Sequence, residues 1–189
     1  ASRELRSVTD ERSDLMRRAE VMRGMFNAAW ADNWGFVPMT EPEFRHAIQD
    51  MKILIRPDYV QIAWLDDEPA AFMVTLPDLH ELVRDLDGRL FPFGAARLLW
   101  RIWRRKSTRA RVPLMGVAPK YHRTITGAAL SYAMVADTRD FLIDDGIDWT
   151  EQSWILEQNR GMRSLIESID MKVTKRYRIY ERGIGAGNE

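Results

Sequence analysis

Apolar residues return every three or four positions early in the chain, at Leu15, Met16, Ala19, Met22, Met25, Phe26 and Ala29. Charged residues fill the gaps, so the period predicts an amphipathic helix over 10–30, with Asp10 as its N-cap. Gly35 and Pro38 then mark a loop over 33–38. Thr40 with Glu43 three residues on is a capping-box pair, which predicts a second helix over 41–55 ended by Pro57.

The pattern next turns to dense apolar runs. Tyr59–Leu65 and Ala70–Leu76 read as two strands, with Asp66-Asp67-Glu68-Pro69 as the hairpin turn between them. Residues 78–88 are acidic and read as helical, and 94–106 form a basic amphipathic helix. Arg111–Val117 is a third strand, followed by a long helix over Ile125–Ile143 that Gly146 ends. Thr150–Leu156 reads as a fourth strand, Arg160–Ser168 as a short helix and Met171–Tyr180 as a last strand. The glycine-rich tail, 183–189, reads as flexible. The order α-α-β-β-(insert)-β-α-β-α-β predicts one mixed α/β (α+β) domain over 1–182, with a helical insert at 78–108.

Composition narrows the chemistry. Among 189 residues, 28 basic side chains balance 28 acidic ones, so no global polyanion surface is expected and nucleic acid is not an expected partner. There is no cysteine, which removes disulfides, thiolate metal sites and a thiol nucleophile and fits a cytoplasmic protein. No apolar run is long enough to span a bilayer. His46, His80 and His122 lack metal-ligand spacing, so no metal is expected. The chain opens on Ala1, as a processed product or a piece of a longer protein would.

One segment carries anion-binding chemistry. The first turn of a helix leaves backbone N–H groups unpaired, and the helix dipole favours negative charge there. The turn Arg123–Ala128 opens the long helix at such a point. Gly127 lacks a Cβ and would let a phosphate approach the backbone, while His122 and Arg123 would add charge. The strand before it, 111–117, would offer backbone groups for pairing.

This segment, Val117-Ala118-Pro119-Lys120-Tyr121-His122-Arg123-Thr124-Ile125-Thr126-Gly127-Ala128, resembles the pyrophosphate loop of the GNAT acyltransferases. Ser153–Asn159 is similar to that family's fifth strand with its closing asparagine, and Met171–Tyr180 to its terminal strand. The resemblance implies a mixed central sheet with flanking helices and a bound acetyl-CoA or longer acyl-CoA. Its implied cofactor-binding residues are Val117, His122, Arg123, Thr124, Ile125, Thr126, Gly127, Ala128 and Asn159. It also implies N-acyl transfer to a small-molecule amine or lipid-like acceptor, with the thioester carbonyl polarised near Gly116 and Val117. The stretch Phe26–Trp30 with Asn33–Pro38 resembles the second half of bacterial proteins built from two GNAT-like halves. That implies an absent upstream half, or a homo-oligomer.

The sequence departs from the family pattern in two places. Ile125 stands where the loop's first glycine is usual, and a β-branched residue there would resist a positive φ and crowd the phosphate. Ile166 stands where many relatives carry a tyrosine that protonates the thiolate. Glu151 and His122 remain as bases beside Glu157 and Tyr121, the pair taken as catalytic. These departures motivate the alternative of a non-catalytic module that holds CoA or completes a larger protein. Trp30, Trp34 and Phe36 read first as core and second as an acceptor wall, and Trp154 reads as core. In the insert, Leu98, Leu99, Ile102 and Trp103 oppose Arg97, Arg101, Arg104 and Arg105. The arginines either meet Asp78, Glu81, Asp85 and Asp87 or contact a membrane surface through 94–106.

Overall fold

The structure, a computed structural model, describes residues 12–31, 33, 35–51, 53–180 and 182, with backbone alone for 12–17 and 57. The Asp10 cap, the side chains of Leu15 and Met16, Trp34 and the tail lie outside that description.

Four strands form one sheet in the order β1-β2-β3-β4. β1 (Val60–Leu65) pairs antiparallel with β2 (Glu68–Pro77), and β2 antiparallel with β3 (Arg109–Val117). β3 then pairs parallel with β4 (Trp149–Gln152). A parallel pair needs a crossover, and α5 (Ile125–Asp144) supplies it. Asp66 and Asp67 both take positive φ, 52° and 61°, in the two-residue hairpin loop between β1 and β2. Glu68 and Pro69 therefore belong to β2 and not to the turn.

Both sheet faces are covered, which explains the uninterrupted apolar run of β2. Phe72 and Val74 face α1 (Arg12–Trp30) and α2 (Glu41–Met51), packing with Met22, Phe44 and Ile48. Ala71 and Met73 face the other way, packing with Met134 of α5 and Leu165 of α6 (Arg160–Ser168). Thr40 and Glu43 close the expected capping box at α2: Thr40 N and Oγ1 both donate to Glu43 Oε2, at 2.9 and 2.7 Å. That helix stops at Met51, earlier than the sequence suggests. Asn27 pins the following loop to α1, donating to Met39 O at 2.9 Å and accepting from Met39 N at 3.0 Å.

At the far end of the sheet, Tyr59, Ala110, Leu142 and Ile147 form a third apolar cluster. Asp145 sits beside it as a hub. It accepts from the Tyr59 hydroxyl at 2.5 Å, pairs with Arg56, and reaches Arg105 at 3.4 Å.

The insert folds as a helical hairpin of α3 (Leu79–Val83) and α4 (Gly94–Trp103). Glu81 ties it to the start of β3. Its carboxylate accepts from Ser107 Oγ at 2.7 Å, Thr108 N at 3.1 Å and Arg109 N at 3.2 Å. Burial pushes the Glu81 carboxyl up, but these hydrogen bonds outweigh it and hold it below its ordinary value. A depressed carboxyl contributes stability above its unfolded-state pKa, lost as pH falls through the folded value. Glu81→Gln is expected to cost about 1–2 kcal/mol at neutral pH. Melting curves of the two proteins should converge as the pH falls below that of an ordinary glutamate.

One expected strand is cut short and another is absent among the described residues. Thr150–Leu156 pairs only as far as Gln152. Trp154 then takes a φ of 38°, a left-handed conformation that strand residues do not adopt, and the chain turns off the sheet. Trp154 is 77% exposed, so it is not core. Residues 171–180 run without a ladder partner, because the segment that would pair with them has turned away. Past the backbone bond of Met171 N to Ile166 O at 3.2 Å, side chains dock them, through Arg178 on Glu157 at 2.6 Å and Tyr177 against Trp154.

Candidate acyl-carrier cleft

The site arises where β3 and β4 part. Ser153 N donates to Val112 O at 3.3 Å, and the next β3 residue, Pro113, has no N–H to continue the ladder. Beyond it the strands splay around a cleft of about 1650 Å³.

A bulge decides what the open edge presents. Leu76 is opposite Arg111 and Val74 opposite Leu114, so β3 has one residue more than β2 over this step. On one side of the bulge Asp78 N donates to Arg109 O at 2.9 Å; on the other Ala118 N donates to Ala70 O at 2.8 Å. Antiparallel ladders alternate, so past the bulge residues 114, 116 and 118 turn their backbone toward β2. Met115 and Val117 turn theirs toward the cleft. Side chains agree: Val112 and Met115 pack in the same cluster, whereas Leu114 packs on the opposite face. The expectation for Gly116 is thereby corrected. Its N–H belongs to the β2 side, and a Cβ on it would lie 2.6 Å from Phe72 and 2.9 Å from Trp30. Val117 lines the cleft, and its carbonyl accepts from His122 Nε2 at 2.8 Å.

The loop that follows is built around its own backbone. Pro119–Tyr121 makes a 3-10 turn, and Arg123 takes the left-handed conformation at a φ of 58°. Thr124 caps α5: its hydroxyl donates to Tyr121 O at 2.8 Å and accepts from Gly127 N at 3.0 Å. A Cβ on Gly127 would lie 2.2 Å from Tyr121 O. The bare Cα of Gly127 therefore admits the loop's own carbonyl. Ile125 neither needs a positive φ nor plugs the cleft, since it is the first residue of α5 and is 90% exposed. Among the described residues nothing accepts from the N–H of Ile125 or Thr126, so both remain open donors at the helix start.

α6 brings a second helix N-terminus to the same cleft. Asn159 caps it, accepting from Met162 N at 3.1 Å. Val117, Tyr121, His122, Arg123, Thr124, Gly127, Ala128 and Asn159 all line the cleft, and the side chains of Ile125 and Thr126 do not. Glu157 stands apart from it. Its carboxylate is paired with Arg178, whose hydrogen bond holds it below its ordinary value, and that makes it a poor base. Ile166 is half-buried and also off the cleft.

Several lining groups carry no sequence signal. Tyr132 of α5 and Ser168 of α6 join hydroxyls at 2.5 Å across the cleft wall. Arg111 donates from Nε to Ser153 Oγ at 2.7 Å where the strands part. Asp78 and His80 line the end farther from the capped loop, Asp78 capping α3 by accepting from His80 N at 3.0 Å. Phe26, Trp30, Leu76 and Leu114 line the cleft with apolar surface from the α1 side of the sheet. Trp30 thus serves both readings, packing on Phe26 and Phe72 while lining the cleft.

No family model matches the chain. Protein YghO of Escherichia coli (strain K12) is 42% identical over 173 residues, which are 92% of this chain and 44% of its own length. A Caulobacter vibrioides (strain NA1000 / CB15N) protein named bacterial ceramide synthase is 37% identical over 168 residues, 89% of this chain and 44% of its own. The chain therefore spans less than half the length of these curated relatives. Among solved structures, the aminoglycoside N-acetyltransferase AAC(6')-Iy, in complex with the bisubstrate analog CoA-S-monomethyl-acetylneamine, superposes with a TM-score of 0.54. Identity is 12%, with 88% of this chain and 92% of that chain covered. A ribosomal-protein-alanine N-acetyltransferase from Brucella melitensis biovar Abortus 2308 gives 0.52 at 12% identity, with 89% and 94% covered.

Proposed function

From a chain that has the fold of the GNAT acetyltransferases, we propose an acyl-CoA-dependent N-acyltransferase whose acceptor is a long-chain amine. The observation that carries this reading is the split strand pair. Met115 turns its backbone N–H and carbonyl, and Val117 its N–H, into a cleft that ends at the capped start of α5. An acyl-CoA laid there would place its pyrophosphate on the N–H groups of Ile125 and Thr126, beside Arg123. Its pantetheine amides would pair with β3 as a peptide strand would. The thioester carbonyl would then lie near Met115 N–H, a donor fixed in place before reaction.

The far end of the cleft receives the acceptor. The amine attacks the thioester carbon, a C–N bond forms, and the C–S bond breaks. Asp78 and His80 are the proton acceptors at that end, and the departing thiolate takes a proton in turn. Tyr121, at the opposite end beside the loop, borders the CoA and not the amine. The apolar lining by Phe26, Trp30 and Leu114 suits a hydrocarbon chain better than a sugar. Ceramide is an amide of a long-chain amino alcohol, so the relative of that name supports the same acceptor class.

Calorimetry with acetyl-CoA and palmitoyl-CoA tests the carrier site, followed by thiol release with a long-chain amino alcohol. Micromolar binding with amine-dependent release is the expected result. Binding without release for any amine would make the chain a CoA-holding module. No heat and no thermal stabilisation at millimolar ligand would overturn the reading.

A further inference from the structure

α4 is amphipathic on both of its sides, in different ways. Leu98 and Ile102 are half-buried toward the domain, and Arg101 between them donates to Leu82 O at 2.6 Å and to Asp85 at 2.7 Å. Arg97 also reaches Asp85, at 3.4 Å. The opposite side repeats Ala96, Leu99, Trp100 and Trp103 at helical spacing, and all four are exposed. Trp103 is 75% exposed, and Phe91 and Phe93 of the preceding turn are 86% and 79% exposed. No residue of α4 is fully buried. A helix held to its domain this way leaves a continuous apolar stripe in water, which costs free energy unless something covers it.

Charge identifies the cover. The inward arginines are neutralised by Asp85, whose carboxyl Arg101 holds well below its ordinary value. The outward cations are not: among the described residues neither Arg104 nor Lys106 has an ion-pair partner. Both lie over the stripe instead, Arg104 at 5.5 Å from the Trp103 ring and 5.9 Å from Trp100, and Lys106 at 5.9 Å from Trp100. Tryptophan favours the headgroup level of a bilayer, and cations on flexible stems reach from an apolar face to lipid phosphates.

We propose that the outer face of α4, with Phe91 and Phe93, docks in the interface of an anionic lipid bilayer. The hairpin leaves the sheet at the cleft rim, where Asp78, Leu79 and His80 line the acceptor end. Docking therefore brings that end of the cleft to the membrane surface. The second consequence, rested on the acyltransferase reading, is that a membrane-dissolved amine enters the cleft without crossing water.

Sedimentation of the full chain with phosphatidylcholine vesicles, with and without phosphatidylglycerol, tests the docking. Expected is pelleting with the anionic vesicles, weakened by salt. Trp100→Ser with Trp103→Ser should reduce the bound fraction at least about tenfold, with an unchanged melting temperature because both side chains are exposed. Acyl-CoA calorimetry in the absence of vesicles reads the cleft separately, so failure of one idea leaves the other standing. No pelleting with anionic vesicles overturns the docking. So does a concentration-dependent dimer, seen by ultracentrifugation and lost in the double variant, if vesicles leave it intact.

Discussion

Gly127→Val is expected to abolish acyl-CoA binding, raising Kd at least about a hundredfold, near 3 kcal/mol. The residue begins neither a flexible turn nor an open phosphate cradle. It packs its Cα against Tyr121 O, where a Cβ would stand at 2.2 Å. The obstructing atom is backbone, so relief requires the 3-10 turn to move and the Thr124 hydroxyl to release Tyr121 O or Gly127 N. Either movement displaces the donors at the start of α5. Overpacking of this kind costs about 1–3 kcal/mol of stability, so the variant should remain folded while binding is lost. Ile125→Gly is the companion variant. Its side chain points to solvent, so Kd should change by less than about threefold (below ~0.7 kcal/mol). Parallel calorimetric titrations check both, and tight binding by Gly127→Val would show that the phosphates sit elsewhere.

Asp145→Ala is expected to give the largest loss of stability among single changes to charged residues, about 3 kcal/mol. The carboxylate is 17% exposed and serves Arg56 and the Tyr59 hydroxyl together. Burial already pushes the Arg56 guanidinium below its ordinary value and the Tyr59 phenol above it. The buried Tyr59 hydroxyl would lose its acceptor, and Arg56 would keep only Asp58 at 3.7 Å, which is costlier than losing an exposed pair. The melting temperature should fall by roughly 6–12 °C. Asp145→Asn keeps one oxygen for the tyrosine and should fall less. Equal losses for the two variants would mean that charge contributes nothing at this hub.

The helices and the β1–β2 hairpin were legible because their signals are local. Periodic apolar residues, the Thr40–Glu43 pair and the Asp66-Asp67 turn act within a few positions of one another. The capped start of α5 was legible for the same reason. What escaped depends on partners distant in sequence. Residues 171–180 alternate well enough for a strand, but a strand needs an edge, and Trp154 removes it by turning left-handed. The left-handed residue of the loop is Arg123 and not Ile125, because the 3-10 turn at Pro119–Tyr121 shifts where the chain must reverse. Glu157 reads from sequence as a catalytic carboxylate, yet its pairing with Arg178 depends on a segment more than a helix away. Tyr132 and Ser168 meet only because α5 and α6 pack side by side.

The extra residue between Arg111 and Leu114 has a consequence for how this strand can change. It shifts the phase of everything after it by one, in side-chain face and hydrogen-bond direction together. A point substitution at Val112 or Pro113 alters size or chemistry but leaves that phase intact. Closing the bulge by a one-residue register slip, with every residue kept, would reverse it. Leu114 and Gly116 would then exchange faces with Met115 and Val117, Met115 would be driven against α1, and the cleft would meet amides now committed to β2. Which face Met115 and Val117 present is thus held by the bulge itself: losing its extra residue would only regularise the ladder, whereas losing the bulge with that residue retained would turn the edge inside out.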